Sequence, residues 1–219
     1  MSHYAPRGCF IAFEGGEGAG KSTQARLLGE WLAGKGYDVV QTREPGGTEV
    51  GREIRGIVLD PETGELSHRT EALLYAADKA EHVDTVVLPA LGRGAIVITD
   101  RYVDSTLAYQ GAGRGLSPGM EDGTRGGLEQ VARWATRDLR PHLTVLLDVD
   151  PDHGMARFTE RDRIESEGEP FHRVVRQMFL DLAAADPVHY LVLDGSASVD
   201  VIFGAVRTAV EPLLGQVER

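Results

Sequence analysis

The chain has 219 residues, 42% of them hydrophobic and 26% charged, which is globular composition and enough length for one buried core. With 34 acidic against 23 basic residues the formal charge is -11, so the surface as a whole repels nucleic acid and anionic membranes, and an anionic ligand needs a local cluster of Lys and Arg. No run of about 18 apolar residues occurs, and the single cysteine, Cys9, can form no internal disulfide, so neither a membrane span nor an exported protein is expected and a cytoplasmic setting is.

In chain order, residues 1–8 lack the apolar stretch of a signal peptide and read as a flexible tail. Apolar runs of strand length follow at Cys9 to Phe13, Val39 to Gln41, Ala95 to Thr99, Leu143 to Leu147 and Tyr190 to Leu193. Between them lie helical stretches at Ser22 to Ala33, Thr70 to Leu91, Leu128 to Thr136, Asp152 to Thr159, Phe171 to Ala185 and Val199 to Leu214, with Ser198 as a candidate cap of the last. Strands alternating with helices predict an α/β domain: one parallel five-stranded sheet with helices on both faces. Gly111 to Gly119 and Arg157 to Glu169 carry no clear period and are expected as working loops or surface connections.

The first strand leads into Gly15-Gly16-Glu17-Gly18-Ala19-Gly20-Lys21-Ser22, a full G-x-x-x-x-G-K-S sequence that opens a helix. Glycines let the backbone wrap closely around phosphate oxygens and turn its N–H groups inward, and the helix start adds positive dipole. Lys21 then supplies a point charge for the β- and γ-phosphates of ATP, and the Ser22 hydroxyl is a ligand for Mg²⁺. This P-loop alone leaves GTPases, motors, assembly ATPases and small-molecule kinases open. The third strand ends in Asp100-Arg101-Tyr102, placing an acid and a base at the carboxyl edge of the sheet, where such folds bind ligands. Asp100 there is a candidate to hold a metal-bound water and Arg101 to bridge two phosphates, although by itself the pair reads more readily as a surface ion pair.

The wider pattern resembles the thymidylate kinase family over nearly the whole chain. The matching segments are Phe13-Glu14-Gly15, Thr42-Arg43-Glu44-Pro45-Gly46-Gly47, Ile54-Arg55 and Thr70-Glu71-Ala72-Leu73-Leu74-Tyr75-Ala76-Ala77. Asp100-Arg101-Tyr102, Ser105-Thr106-Leu107-Ala108-Tyr109-Gln110-Gly111, Pro141-His142-Leu143-Thr144 and Asp162-Arg163-Ile164-Glu165 continue it. An acidic Glu17 in the P-loop and arginines at 157, 161 and 163 resemble the bacterial subclass, whose mobile lid, here about 157–169, carries catalytic arginines.

That resemblance implies Mg²⁺-dependent transfer of the γ-phosphoryl group of ATP to dTMP, giving dTDP for dTTP synthesis. It implies catalytic roles for Lys21, Arg101, Arg157, Arg161, Arg163 and Glu17, and ATP binding by residues Gly15, Gly16, Glu17, Gly18, Ala19, Gly20, Lys21 and Ser22, with Gly195 and Ser196 near the adenine. For dTMP it implies Tyr75 stacked on the base, Thr106 and Gln110 at the pyrimidine edge, Tyr109 beside the sugar, and Arg55 and Arg101 on the acceptor phosphate. Glu44 would orient those two arginines, and Glu17 would lie near the 3′-hydroxyl. Ser22 and Asp100 would serve the metal. The position one turn after Tyr75, usually Arg, is Lys79, which can donate to one base carbonyl without the guanidinium fork, so dUMP is the first expected competitor. The family also implies a homodimer through the helix at Thr70 to Leu91, with no nucleic acid or membrane partner.

Overall fold

The structure, a computed structural model, describes residues 4–116, 127–155 and 162–216. Five strands form one parallel sheet: β1 (Cys9–Gly15), β2 (Val39–Arg43), β3 (Ile96–Asp100), β4 (Leu143–Asp148) and β5 (Tyr190–Asp194), in the order β2-β3-β1-β4-β5. All five were expected, each ending one or two residues later than its apolar run. The extensions are functional groups, because they carry Glu14, Gly15, Arg43, Asp100, Asp148 and Asp194 to the carboxyl edge.

Period-two alternation along β1 divides the core into two layers. Cys9, Ile11 and Phe13 face α1 (Lys21–Gly34) and α9 (Val199–Val210), where Leu28, Leu32, Ile202 and Val206 are buried. Phe10 and Ala12 face the opposite layer, against Val83, Val87, Leu91 and Tyr102. That layer is built from α3 (His68–His82), which runs on through a wide π turn at Val83–Val87 into α4 (Leu88–Gly92), and from α8 (Glu169–Ala185). A hydroxyl cap, Ser67 Oγ accepting from Thr70 N, starts α3, and the expected cap Ser198 accepts from Val201 N at α9.

Three expectations are corrected. The helix α2 (Glu49–Leu59) has no counterpart in the sequence reading, because Gly51 and Gly56 weaken its local propensity. It forms through a Thr48 cap and burial of Gly51, Ile54 and Val58, with a Cβ at Gly51 only 2.4 Å from Asp78 Oδ1. A second helical stretch, α5 (Val103–Thr106) continued by a π-wound Leu107–Gly113, takes in residues read as the start of a loop, and α6 (Gly127–Ala135) follows the undescribed residues 117–126. Third, Tyr4 and Ala5 are not a loose tail: Tyr4 stacks on His189 with ring centroids 4.8 Å apart, and Ala5 O lies 3.2 Å from His142 Nε2. The short α7 (Pro151–Met155) is described to Met155.

Candidate active site

Strand register brings the two motifs together. Phe13 pairs with Asp100, and Arg43 pairs with the same residue from the other side, so the P-loop and the Asp100-Arg101 corner share one edge. The Arg101 N–H donates to Phe13 O at 2.9 Å, and this bond secures a backbone with φ +71, uncommon for a side chain of this size. In the loop itself Gly18 has φ +67, and a Cβ there would sit 2.3 Å from Gly154 O, so only glycine allows α7 to close on the P-loop. Lys21 Nζ donates to Gly15 O at 3.1 Å and Gly16 O at 2.7 Å. Burial, and then the neighbouring Arg101 charge, push its pKa down.

Arg101 is the centre of the cation cluster. Its Nη2 donates to Glu17 Oε1 at 2.5 Å and to Tyr109 Oη at 3.2 Å; its Nη1 donates to Ser105 Oγ at 3.0 Å and Gly15 O at 3.1 Å. Burial by itself would raise the Glu17 pKa, but Arg101 and Lys21 outweigh it and hold the carboxyl at about 2. Behind the cluster, Glu14 accepts from Tyr102 N, Ser105 N and Ser105 Oγ. Being fully enclosed and close to Asp104, it is raised to about 7.

A cleft of ≈ 110 Å³ opens beside Arg101, walled by Glu17, Arg55, Tyr75, Lys79, Thr106, Tyr109 and Gln110 among others. Thus every residue expected at the acceptor lines or adjoins one cavity. Thr106 Oγ1 is buried there and meets no hydrogen-bond partner among the described residues, an orphan that a ligand would satisfy. A larger cavity of ≈ 420 Å³, bounded by Tyr4, Asp104, Arg140 and Tyr190, touches no residue of the P-loop, so chemistry rather than size marks the site.

Two of the implied residues meet partners the resemblance does not name. Glu44 orients neither Arg55 nor Arg101: its Oε1 lies 2.6 Å from His82 Nδ1, and its Oε2 lies 3.1 Å from Lys79 Nζ, in the geometry of an ion contact rather than a directed hydrogen bond. Burial would raise the Glu44 pKa, and Lys79 and His82 reverse that to a net lowering. Lys79 is accordingly engaged with Glu44 while lining the cleft, and Arg55 donates to Pro45 O at 3.1 Å. Arg163, implied as a lid arginine, is held by α2 and α3: Nη2 donates to Glu71 Oε2 at 2.5 Å and Nε to Val58 O at 2.9 Å. Arg157 and Arg161 lie outside the described residues.

Toward the donor side, Ser22 Oγ donates to Asp100 Oδ2. A hydroxyl and a carboxylate oxygen side by side are hard donors of the kind Mg²⁺ takes together with phosphate oxygens and water. Gly195 N donates to Asp148 O at 2.7 Å, and Ser196 lines a second cleft of ≈ 370 Å³ with Asp150, His153 and Arg176. Arg176, missed by the sequence reading, donates to both oxygens of Asp148 at 2.7 and 2.9 Å. His82 and Arg176 had no signal in sequence beyond residue type, whereas Ser105 and Glu71 stood inside quoted segments without a role.

Comparison with known proteins agrees with this geometry. The thymidylate kinase family model matches residues 13–206. The chain is 55% identical over 209 residues to a thymidylate kinase of Cutibacterium acnes, covering 95% of this chain and 99% of that one. It is 51% identical over 211 residues to a thymidylate kinase of Clavibacter michiganensis, covering 94% and 96%. It is similar to the crystal structure of thymidylate kinase from Ehrlichia chaffeensis, with TM-score 0.74, 31% identity and coverage of 94% and 99%.

Proposed function

The chain belongs to the thymidylate kinase family, an ATP-dependent phosphotransferase acting on dTMP, and on that premise we propose how its own residues carry out the transfer. The γ-phosphoryl P–O bond to ADP breaks as a new P–O bond forms to an oxygen of the dTMP phosphate. With a second pKa of about 6, that phosphate is largely dianionic at neutral pH and needs no strong base. The obstacle is repulsion between two polyanions, so the protein acts by positioning and charge neutralisation.

Lys21 turns from the Gly15 and Gly16 carbonyls to the β- and γ-phosphates, cradled by residues Gly15 to Ser22. Arg101 bridges donor and acceptor phosphates, with Arg55 on the acceptor. Glu17 holds the Arg101 guanidinium and faces the 3′-hydroxyl; Tyr109 packs beside the sugar, and Tyr75 stacks on thymine. Thr106, Gln110 and Lys79 meet the base edge, and dUMP is the nearest competitor because Lys79 is shared with Glu44. Gly195 and Ser196 flank the adenine, and Arg157, Arg161 and Arg163 close over the phosphates, Arg163 by leaving Glu71. Ser22 and Asp100 would hold Mg²⁺, which when bound offsets charge on the phosphate oxygens.

The observation that carries this reading is the orphaned Thr106 hydroxyl in a cleft that Arg101 also lines, one residue from the P-loop's partner Asp100. Steady-state ADP release, measured with and without each natural monophosphate and with chelator, tests it. Release should require an acceptor and a divalent cation, with dTMP giving the highest kcat/KM; a higher value for AMP, dGMP or dCMP overturns the acceptor assignment.

A homodimer is supported by exposed Val50 and Ile57, seven residues apart on α2, together with exposed Leu73 on α3, and light scattering at micromolar concentration tests it. A reducing cytoplasm suits Cys9, a buried thiol pushed up to about 12. No helix of the described residues is long and apolar enough to cross a membrane.

A further inference from the structure

Glu71, on α3, is fully buried yet touches four donors. Its Oε1 accepts from Gln110 Nε2 at 3.0 Å and Arg114 Nε at 3.1 Å; its Oε2 accepts from Arg163 Nη2 at 2.5 Å and Arg114 Nη2 at 3.3 Å. Burial favours the neutral acid, but the hydrogen bonds from Gln110, Arg114 and Arg163 reverse this and lower its pKa. Glu71 is therefore a carboxylate at neutral pH and can only accept.

An acceptor at that place dictates which way the Gln110 amide turns. Only the NH₂ end can face a carboxylate, so the carbonyl end is the one left for the cleft that Gln110 lines. Gln110 is 2% exposed, and its Oε1 accepts no hydrogen bond from any described residue. A base edge reaching it must therefore bring a donor. Thymine and uracil carry a hydrogen on N3, whereas cytosine presents a lone pair there and would leave two acceptors facing each other in a buried place.

We propose that Glu71 is a specificity-determining positioning residue: by holding the Gln110 amide with its oxygen toward the cleft, it selects pyrimidine monophosphates that carry a hydrogen on N3. This rests on the reading that the cleft holds the dTMP base. It differs from a purely structural role, in which Glu71 only clasps Arg114 and Arg163. Loss of a clasp would slow all acceptors alike, whereas loss of amide orientation changes their ratio.

The Glu71→Gln variant separates the two. The single oxygen of the introduced amide cannot serve the donors on both sides; the short Arg163 contact draws it to the Oε2 position, so its NH₂ replaces Oε1, Arg114 Nε loses its acceptor there, and Gln110 must turn over to accept. The ratio of kcat/KM for dTMP over dCMP is then expected to fall by about tenfold or more, while dTMP over dUMP stays unchanged. In a Gln110→Met background, Glu71→Gln should leave the dTMP/dCMP ratio where it was. If Glu71→Gln is too unstable to assay, Glu71→Asp keeps the charge for the arginines but withdraws it from Gln110, and should lower the same ratio. A wild-type enzyme indifferent to the base overturns the reading of the cleft. A wild-type preference for dTMP that survives the Glu71 substitutions, or that shifts equally without Gln110, overturns the role of Glu71 alone.

Discussion

Arg101 Nη2 and Glu17 Oε1 lie 2.5 Å apart, joining the corner after β3 to the loop after β1 in one ion pair that faces the cleft. The pair makes acid stability depend on Glu17. Its folded pKa, about 2, is depressed below the ordinary 4.5, so its contribution is complete above about pH 4.5 and is lost as pH falls toward 2. The shift corresponds to about 3 kcal/mol at most. In urea unfolding series, Glu17→Gln should flatten the loss of stability between about pH 4.5 and 2; an identical slope in both proteins contradicts the pairing.

Lys21 should be indispensable for turnover and nearly irrelevant to the fold. Its ammonium meets only the Gly15 and Gly16 carbonyls among hydrogen-bond acceptors of the described residues. Lys21→Ala should lower kcat by about a hundredfold or more while the far-ultraviolet dichroism is unchanged. Near-normal turnover by a folded variant would remove the central role of the P-loop.

Thr106→Val replaces an orphaned buried hydroxyl with a methyl of similar shape. Without ligand nothing is lost, so the Tm should hold or rise. The KM for dTMP should increase by about tenfold, with kcat little changed. A fall in Tm with unaltered KM would mean that the hydroxyl serves the fold.

Lys79 and Glu44 form a buried pair with side chains 2% and 0% exposed. Lys79→Met strands the Glu44 charge beside His82 and should cost about 3–5 kcal/mol, lowering Tm by roughly 10 °C. The double variant Lys79→Met, Glu44→Gln should be less destabilised than Lys79→Met alone. Thermal unfolding of the three proteins decides this, and equal Tm values for the single and double variants would count against the pair.

Much of the fold was legible because its signals are local. The strand-glycine-helix sequence from Cys9 to Gly34 states its own conformation, and the apolar runs of β3, β4 and β5 are long enough to be read without their neighbours. Helix α2 was not legible, since two glycines obscure a stretch whose helicity depends on burial against α3. Nor was Leu107–Gly113, whose wide winding sets Tyr109 and Gln110 facing the cleft.

The sequence by itself determined that this chain builds a phosphate cradle on a parallel sheet and named most of the residues around the cleft, because residue type and short spacing decide which groups can bind phosphate. It did not determine how those groups pair. That Glu44 meets Lys79 and His82 instead of Arg55, and that Glu71 gathers Gln110, Arg114 and Arg163, involves partners 35 to 92 positions apart. Only the packing of α3 against the loop after β2, the helical stretch after β3 and the segment before α8 brings them within reach. Once buried, each charge is paired with whatever the packing leaves next to it, since in a medium of low polarity an unmet charge costs more than almost any rearrangement of side chains.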